Sequence, residues 1–317
     1  MKMKKLLIIA TVLVIVGFLI FRGMLSMLDW DFGKLSTAKY ATASHEVQEP
    51  FHSISIQSNT AEVEFVLSDG KARVECYEQQ TRKHSVSVQN DTLVIAVEDN
   101  RAWYEYIGFN FNTAKITVYL PEAAYESLTV KSATGSVKLP SDFRFETANV
   151  SLTTGSVAFG ANVESKAKIK TTTGNIRVEQ ASVGELELSV TTGHINVSDV
   201  KCQGSLKAHV TTGDAKFTDV TCGSFRSTGS TGDLTLKNVV AAEKLTAERS
   251  TGDVKFDGAD AAEIWVETDT GDVTGTLLSD KIFFTETDTG SVSVPRSTTG
   301  GKCEITTDTG DIRLKIQ

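Results

Sequence analysis

The chain has 317 residues, 40% of them hydrophobic, and a formal net charge of −8. That is enough apolar material for a large core. The acidic balance argues against a nucleic-acid partner, whose phosphates would repel it.

Met1 to Leu28 reads as a membrane segment. Lys2, Lys4 and Lys5 precede an uncharged run from Leu6 to Phe21, and Met24, Leu25, Met27 and Leu28 extend it past Arg22. Counting to Leu28 reaches the roughly 20 residues a span needs, with Arg22 snorkelling. Lysines ahead of the span predict a cytoplasmic N-terminus and an exported remainder, hence a single-pass protein of the cell membrane. The alternative is a cleaved signal peptide. It lacks a small-x-small site just after the apolar run, since Ala41-Thr42-Ala43 lies too far on. Residues 29–50 are polar, without a sustained period, and read as a spacer.

Residues 51–127 are strand-rich. Ile54 alternates with Ile56, Val63 with Phe65, Val74 with Cys76, Val86 with Val88, Leu93 with Ile95 and Val97, and Ile116 with Val118 and Leu120. Turn residues at Asn59-Thr60, Asp69-Gly70 and Asn90-Asp91 separate them. Arg101 to Asn112 interrupts the pattern: Trp103, Tyr104, Tyr106, Phe109 and Phe111 crowd together. They form either an exposed patch that stacks on sugar rings or a partner, or a loop folded over an apolar edge. Packing is the commoner use of aromatics.

Residues 128–317 carry a Thr-Gly dipeptide that returns ten times, with glycines at Gly135, Gly155, Gly174, Gly193, Gly213, Gly232, Gly252, Gly271, Gly290 and Gly310. The steps are 19 or 20 residues. Apolar residues stand seven and five before most of these glycines, and two and four after. Leu186, Leu188, Ile195 and Val197 around Gly193 are one set. Period-2 alternation on both sides makes both flanks strands, and a helical repeat would need spacings of three and four. Each repeat is then strand, Thr-Gly turn, strand and a variable return loop. Stacked repeats pair as parallel strands about 4.8 Å apart, and ten give a rod on the order of 50 Å long. The fold class expected is an all-β solenoid, a single-stranded β-helix with coils of 19–20 residues, preceded by one transmembrane helix. Right-handed winding follows from the crossover rule. Residues 51–127 are expected to be its irregular first coils, a terminal coil differing because one face has no neighbour.

Three features together resemble the bacterial "putative adhesin" family, a domain of unknown function. They are Phe51-His52-Ser53-Ile54-Ser55-Ile56; Asp91-Thr92-Leu93-Val94-Ile95 ahead of Val118-Tyr119-Leu120-Pro121; and the Thr-Thr-Gly-[Ser/Asn/Asp]-x-[Ile/Val] ladder. A single anchor followed by such a domain is similar to the LiaG-type proteins of cell-envelope stress operons in Gram-positive bacteria. The resemblance implies an extracytoplasmic β-solenoid and no reaction.

Candidate chemistry is sparse. Asp-Thr-Gly at 269–271, 288–290 and 308–310 matches the aspartic protease signature, but stacking puts the three in successive coils rather than across a cleft. Asp214, Asp233, Asp253 and Asp272 each follow a repeat glycine and are expected to stack. Like charges about 5 Å apart repel, which makes Ca²⁺ or another hard cation a candidate ligand along this edge. The alternative is that each Asp satisfies a turn N–H and stays in water. It is preferred because the glycine-rich nonapeptide of calcium-binding β-rolls is missing. Cys202 and Cys222 each sit nine after a glycine and are expected in adjacent coils, with parallel Cβ vectors that disfavour a disulfide. No Cys-x-x-Cys or zinc spacing, P-loop, Gly-x-Ser-x-Gly or His-Glu-x-x-His occurs.

The sequence therefore points to a non-catalytic, membrane-anchored, adhesin-like surface or scaffold of the cell envelope, linked to envelope stress. Its expected partners are the membrane, through the N-terminal helix, and a cell-wall polymer or envelope protein, with no cofactor. A regulator acting through a membrane partner is the alternative. A polysaccharide-active β-helix enzyme ranks third, because no paired carboxylates converge in the outward columns.

Overall fold

The computed structural model describes residues 2–27, 29–30, 39–99 and 112–317. Its regular part is built on the Thr-Gly corner. At Gly213 φ is +130°, and a Cβ there would lie 1.9 Å from the carbonyl oxygen of Gly193 in the layer below. Both the backbone angle and the close approach exclude a side chain. The layers are zipped at this corner by the Gly213 N–H, which donates to the Thr231 carbonyl at 2.8 Å in the layer above.

The flanks are strands, and their apolar columns stack in register. One column runs Leu186, Leu206, Phe225, Leu245 and Ile264 through successive parallel pairings. The other runs Val137, Val157, Ile176, Ile195, Ala215, Leu234, Val254 and Val273. These side chains are buried and fill one continuous core. Larger members interlock edge to face, as Phe217 and Phe225 do with centroids 4.8 Å apart. Each buried Leu, Ile or Phe contributes roughly 1.5–3 kcal/mol, but only through its neighbours above and below, so no coil stands alone.

A second corner lies six residues after the glycine. Gln180, Asp199, Asp219 and Asn238 there have φ of 50–55°, and Gly258 has 72°. Asn and Asp tolerate this left-handed turn better than other side chains. The return segment read as variable therefore has its own column.

The N-terminal helix α1 (Lys2–Met27) is followed by β1 (Tyr40–Glu46), β2 (Ser53–Ser58), β3 (Ala61–Leu67), β4 (Arg73–Gln79), β5 (Arg82–Gln89), β6 (Thr92–Asp99) and β7 (Ala114–Leu120). β2 and β3 form a coil whose corner is Asn59-Thr60; Thr134 N donates to the Asn59 carbonyl at 2.7 Å. β6 and β7 form a second coil. The remainder is not coiled: β4 runs antiparallel between β1 and β7, and β5 antiparallel to β6. This antiparallel cap covers the end of the core.

Layer order departs from chain order at both ends. Ile54 of β2 lies between Leu93 of β6 and Leu128 of the first regular coil, so the earliest coil is the second layer. At the other end, strand Gly301–Thr309 lies between Val254–Thr270 and Lys281–Thr289, with Cys303 facing Ile264 on one side and Phe283 on the other. Strand Ile312–Ile316 is likewise flanked by Val273–Leu277 and Val292–Ser293. The last coil in sequence is thus inserted beneath the one before it. The double glycine 300–301 makes room for the insertion: a Cβ on Gly301 would lie 1.9 Å from the Ala262 carbonyl oxygen, and one on Gly300 1.8 Å from that of Asp280.

Candidate functional site

The residue after each glycine carries a hydrogen-bond acceptor aimed at the backbone N–H of the next layer. Ser156 Oγ accepts from Asn175 N at 3.3 Å, Asn175 Oδ1 from His194 N at 2.9 Å, and His194 Nδ1 from Asp214 N at 3.1 Å. The carboxylates continue the row. Asp214 Oδ1 accepts from Asp233 N at 3.0 Å, Asp233 Oδ1 from Asp253 N at 2.9 Å, and Asp253 Oδ1 from Asp272 N at 2.8 Å. The column holds Ser, Asn, His and Asp because each has a short side chain with an acceptor at the right reach. His194 is a rung of this ladder.

Asp214, Asp233, Asp253 and Asp272 do stand in four consecutive layers, on an exposed edge. One oxygen of each of the four is committed to the backbone, since Asp272 Oδ1 accepts from Asp311 N. Asp311 is the last acceptor of the row, and Ser291 is the last donor to it. Two hydrogen bonds from Ser291, with Arg313 alongside, hold the Asp311 carboxyl below the usual carboxylate range. The three Asp-Thr-Gly turns share the same edge in the layer order 269–271, 308–310, 288–290. They are stacked, not opposed.

The outward strand faces carry ion pairs between layers. Lys166 and Lys168 both reach Glu187, at 2.8 and 2.6 Å, and hold its carboxyl down to about 2. Lys115 and Lys138 share Glu64 at 2.7 and 2.9 Å. Lys115, Lys138, Lys166 and Lys168 are thus each paired with a carboxylate of a neighbouring layer.

The aromatic stretch with Trp103, Tyr104, Tyr106, Phe109 and Phe111 lies outside the described residues, between β6 and β7. All four cysteines are buried and free, Cys202 and Cys222 included. Among the described residues, one set of three His, Cys, Asp or Glu ligand atoms converges within 4.8 Å, and it is not in the Asp column. It is Cys76, Glu78 and His84 in the cap. Burial, with the Glu78 charge adding, pushes the Cys76 thiol up to about 12. A scan for Cys-x-x-Cys or paired-histidine spacings misses this set. The visible signal was a Cys-x-Glu on one strand, both inward-facing, followed by a His across a hairpin.

No curated protein matches the chain. Among solved structures it is similar to a "putative adhesin" of Parabacteroides merdae, at 12% identity over 77% of this chain and 98% of that one, with TM-score 0.47. It is also similar to a "putative lipid binding protein" of Parabacteroides distasonis, at 13% identity over 88% and 98%, with TM-score 0.46. A "putative adhesin" of Bacteroides fragilis is 17% identical over 87% and 97%, with TM-score 0.37. The model of the Toastrack DUF4097 family matches residues 51–219 and 203–317, which hold the solenoid and the cap strands β4 and β5 but not β1. The chain is a member of the Toastrack DUF4097 family.

Proposed function

We propose that this protein is a membrane-anchored solenoid that presents a non-catalytic, adhesin-like binding surface in the cell envelope. The observation that carries the reading is α1 itself: Lys4–Met27 is long and apolar enough to cross a membrane, and its apolar 18-residue stretch is not buried by the rest of the chain. A helix apolar on all sides needs lipid around it. The lysines ahead of it favour an N-terminus in the cytoplasm and a rod outside. The rod then offers long strand faces and a polar corner edge. Their acceptors and charges are largely engaged in holding the layers together, which suits recognition better than acid-base chemistry. The partner class is a cell-wall polymer or an envelope protein, in the setting of envelope stress.

The test is a pull-down with the full-length chain in nanodiscs. The bait is exposed to purified cell wall, separated teichoic acid and detergent-solubilised membrane proteins, with and without calcium. Saturable retention of polymer supports the proposal. Retention of one membrane protein without polymer points to a regulator working through that partner. Loss of α1 by cleavage in the mature protein, read by intact mass, removes the anchor from the proposal.

A further inference from the structure

A thiol, a carboxylate and an imidazole are buried together in the cap, at the end of the core. Cys76 is 0%, Glu78 4% and His84 5% exposed. Cys76 and Glu78 are two apart on β4 and so project to one face. His84 enters from β5, after the chain reverses at Gln80-Thr81. His84 Nδ1 lies 2.8 Å from Glu78 Oε2, and its Nε2 lies 3.2 Å from Ser58 Oγ. The three ligand atoms are all within 4.8 Å of one another. Buried ionisable groups persist in a core when they are paired with each other or gathered on a cation.

We propose that Cys76 Sγ, a Glu78 carboxylate oxygen and His84 Nδ1 form a binding site for a borderline transition-metal dication, of which Zn²⁺ is the fitting example. Sulfur, nitrogen and one oxygen are a zinc-type ligand set, whereas Ca²⁺ and Mg²⁺ take oxygen. A thiolate and a carboxylate together neutralise a dication, so the loaded site buries no net charge. In the loaded site a proton on Nε2 would donate to Ser58 Oγ, 3.2 Å away, and leave the Nδ1 lone pair for the ion. That is the usual arrangement around a metal-bound histidine. A cavity of about 350 Å³, lined by Ser58, Gln79, Arg82 and His84 among others, reaches the imidazole and supplies a route for the ion and a solvent ligand. Binding displaces the thiol proton to solvent, moves the proton of the His84–Glu78 hydrogen bond to Nε2, and replaces that hydrogen bond with two metal bonds. The site would tie β4, β5 and, through Ser58, β2 into one unit, closing the end of the rod nearest the spacer.

The test uses the full-length chain in detergent micelles under reducing conditions, titrated with Co²⁺ as a spectroscopic stand-in for zinc. The expected result is saturation at one cobalt per chain, with a thiolate charge-transfer band and intense tetrahedral visible bands that Zn²⁺ bleaches and Ca²⁺ does not. C76S should abolish the charge-transfer band, C202S should leave it intact, and S58A should weaken cobalt binding by about 10-fold. Folded wild-type protein that develops no thiolate band overturns the proposal, and this result needs no variant to fold. A band that survives C76S also overturns it, because the sulfur would then come from another cysteine.

Discussion

The backbone N–H of Asp311 donates to the Asp272 carboxylate at 2.8 Å, across 39 positions in the sequence. Ser291, which lies between them in the chain, instead donates to Asp311 at 2.7 Å from the far side. A second, independent row has the same order: Thr307 Oγ1 donates to the Gly271 carbonyl at 3.2 Å, and Thr287 Oγ1 to that of Gly310 at 3.0 Å. With β2 lodged between β6 and the first regular coil, the solenoid has both its first and last coils held one layer in. An outermost strand that ended the chain would have one unpaired edge and a free end. Here the outermost regular coil is tethered by chain at both ends, and the terminal coil has both edges paired.

Hydrogen exchange should therefore invert the usual trend at a terminus. Amides of Gly301–Thr309 should exchange more slowly than those of Lys281–Thr289, although they are nearer the C-terminus. The measurement is native-state exchange by mass spectrometry on the two peptides. Faster exchange in Gly301–Thr309 would mean that the inserted layer order is wrong.

The same end is pinned by a buried ion pair. Lys281 Nζ lies 2.6 Å from Asp260 Oδ1 and donates to Ser279 Oγ at 2.6 Å. The lysine side chain is 3% exposed and the aspartate 20%. The two removals should differ. D260A leaves an ammonium buried without its anion and should cost about 3–5 kcal/mol of local stability. K281A leaves the wetter carboxylate and should cost less, roughly 1–2 kcal/mol. Comparing exchange protection of Lys281–Thr289 in both variants checks the ranking.

The coil was legible because its signal repeats: ten glycines with period-2 columns leave little choice of local structure. The layer order was not legible, because every coil offers the same columns at the same spacing. Any coil fits any other, and only the connections decide. The connection that decides is 295–301, where Gly300 and Gly301 permit close backbone approach, yet the Thr-Gly step across it stays at 20 residues. The ladder role of His194 followed from its column. The second corner at Gln180, Asp199, Asp219, Asn238 and Gly258 was there to read six places after the glycine. The cap cluster was not, since strands β4 and β5 bring Glu78 and His84 together by a fold-back that no repeat announces.

The corner glycine Gly213 should be far less replaceable than Gly204 of the return segment. G213A meets both a φ of +130° and a 1.9 Å approach to backbone, and should destabilise by roughly 2–4 kcal/mol. At Gly204 the nearest atom to a Cβ is the Gly184 carbonyl oxygen at 3.2 Å, and φ is not in the left-handed region. G204A should cost no more than about 1 kcal/mol. Thermal melts of the two variants followed by circular dichroism give the comparison.

Glu187 supplies a pH dependence whose sign is fixed. Its folded carboxyl titrates at about 2, below its ordinary 4.5, because Lys166 and Lys168 hydrogen-bond the charged form. A depressed carboxyl stabilises the fold in full above about 4.5 and loses that contribution as pH falls toward 2. The carboxylate is 31% exposed and its lysines are more so, and solvent screening reduces the effect to roughly 0.5–1 kcal/mol. A double K166A/K168A variant should return the midpoint toward the ordinary range, as read by carboxyl carbon chemical shifts against pH. An unchanged midpoint would mean that the two pairs do not persist in solution.

The Asp column poses a choice between hydrogen bonding and cation binding, and Asp233 separates the two. Its Oδ1 accepts from Asp253 N at 2.9 Å, while its own N–H is taken by Asp214. D233N keeps an acceptor oxygen at the same reach and removes one of five stacked charges, so it should leave stability unchanged or raise it by up to about 0.5 kcal/mol at low salt. D233A leaves the Asp253 N–H to water on an exposed edge and should cost about 0.5–1 kcal/mol. If backbone hydrogen bonding accounts for the column, wild-type Tm is the same in calcium and in chelator, and raising the salt narrows the gap between wild type and D233N. If a hard cation bridges the carboxylates, calcium raises the wild-type Tm and D233N loses the rise, because the row then has one anionic ligand fewer. Every rung from Ser156 to Asp311 makes the same bond whether or not it is charged, and on that ground the calcium-independent result is expected.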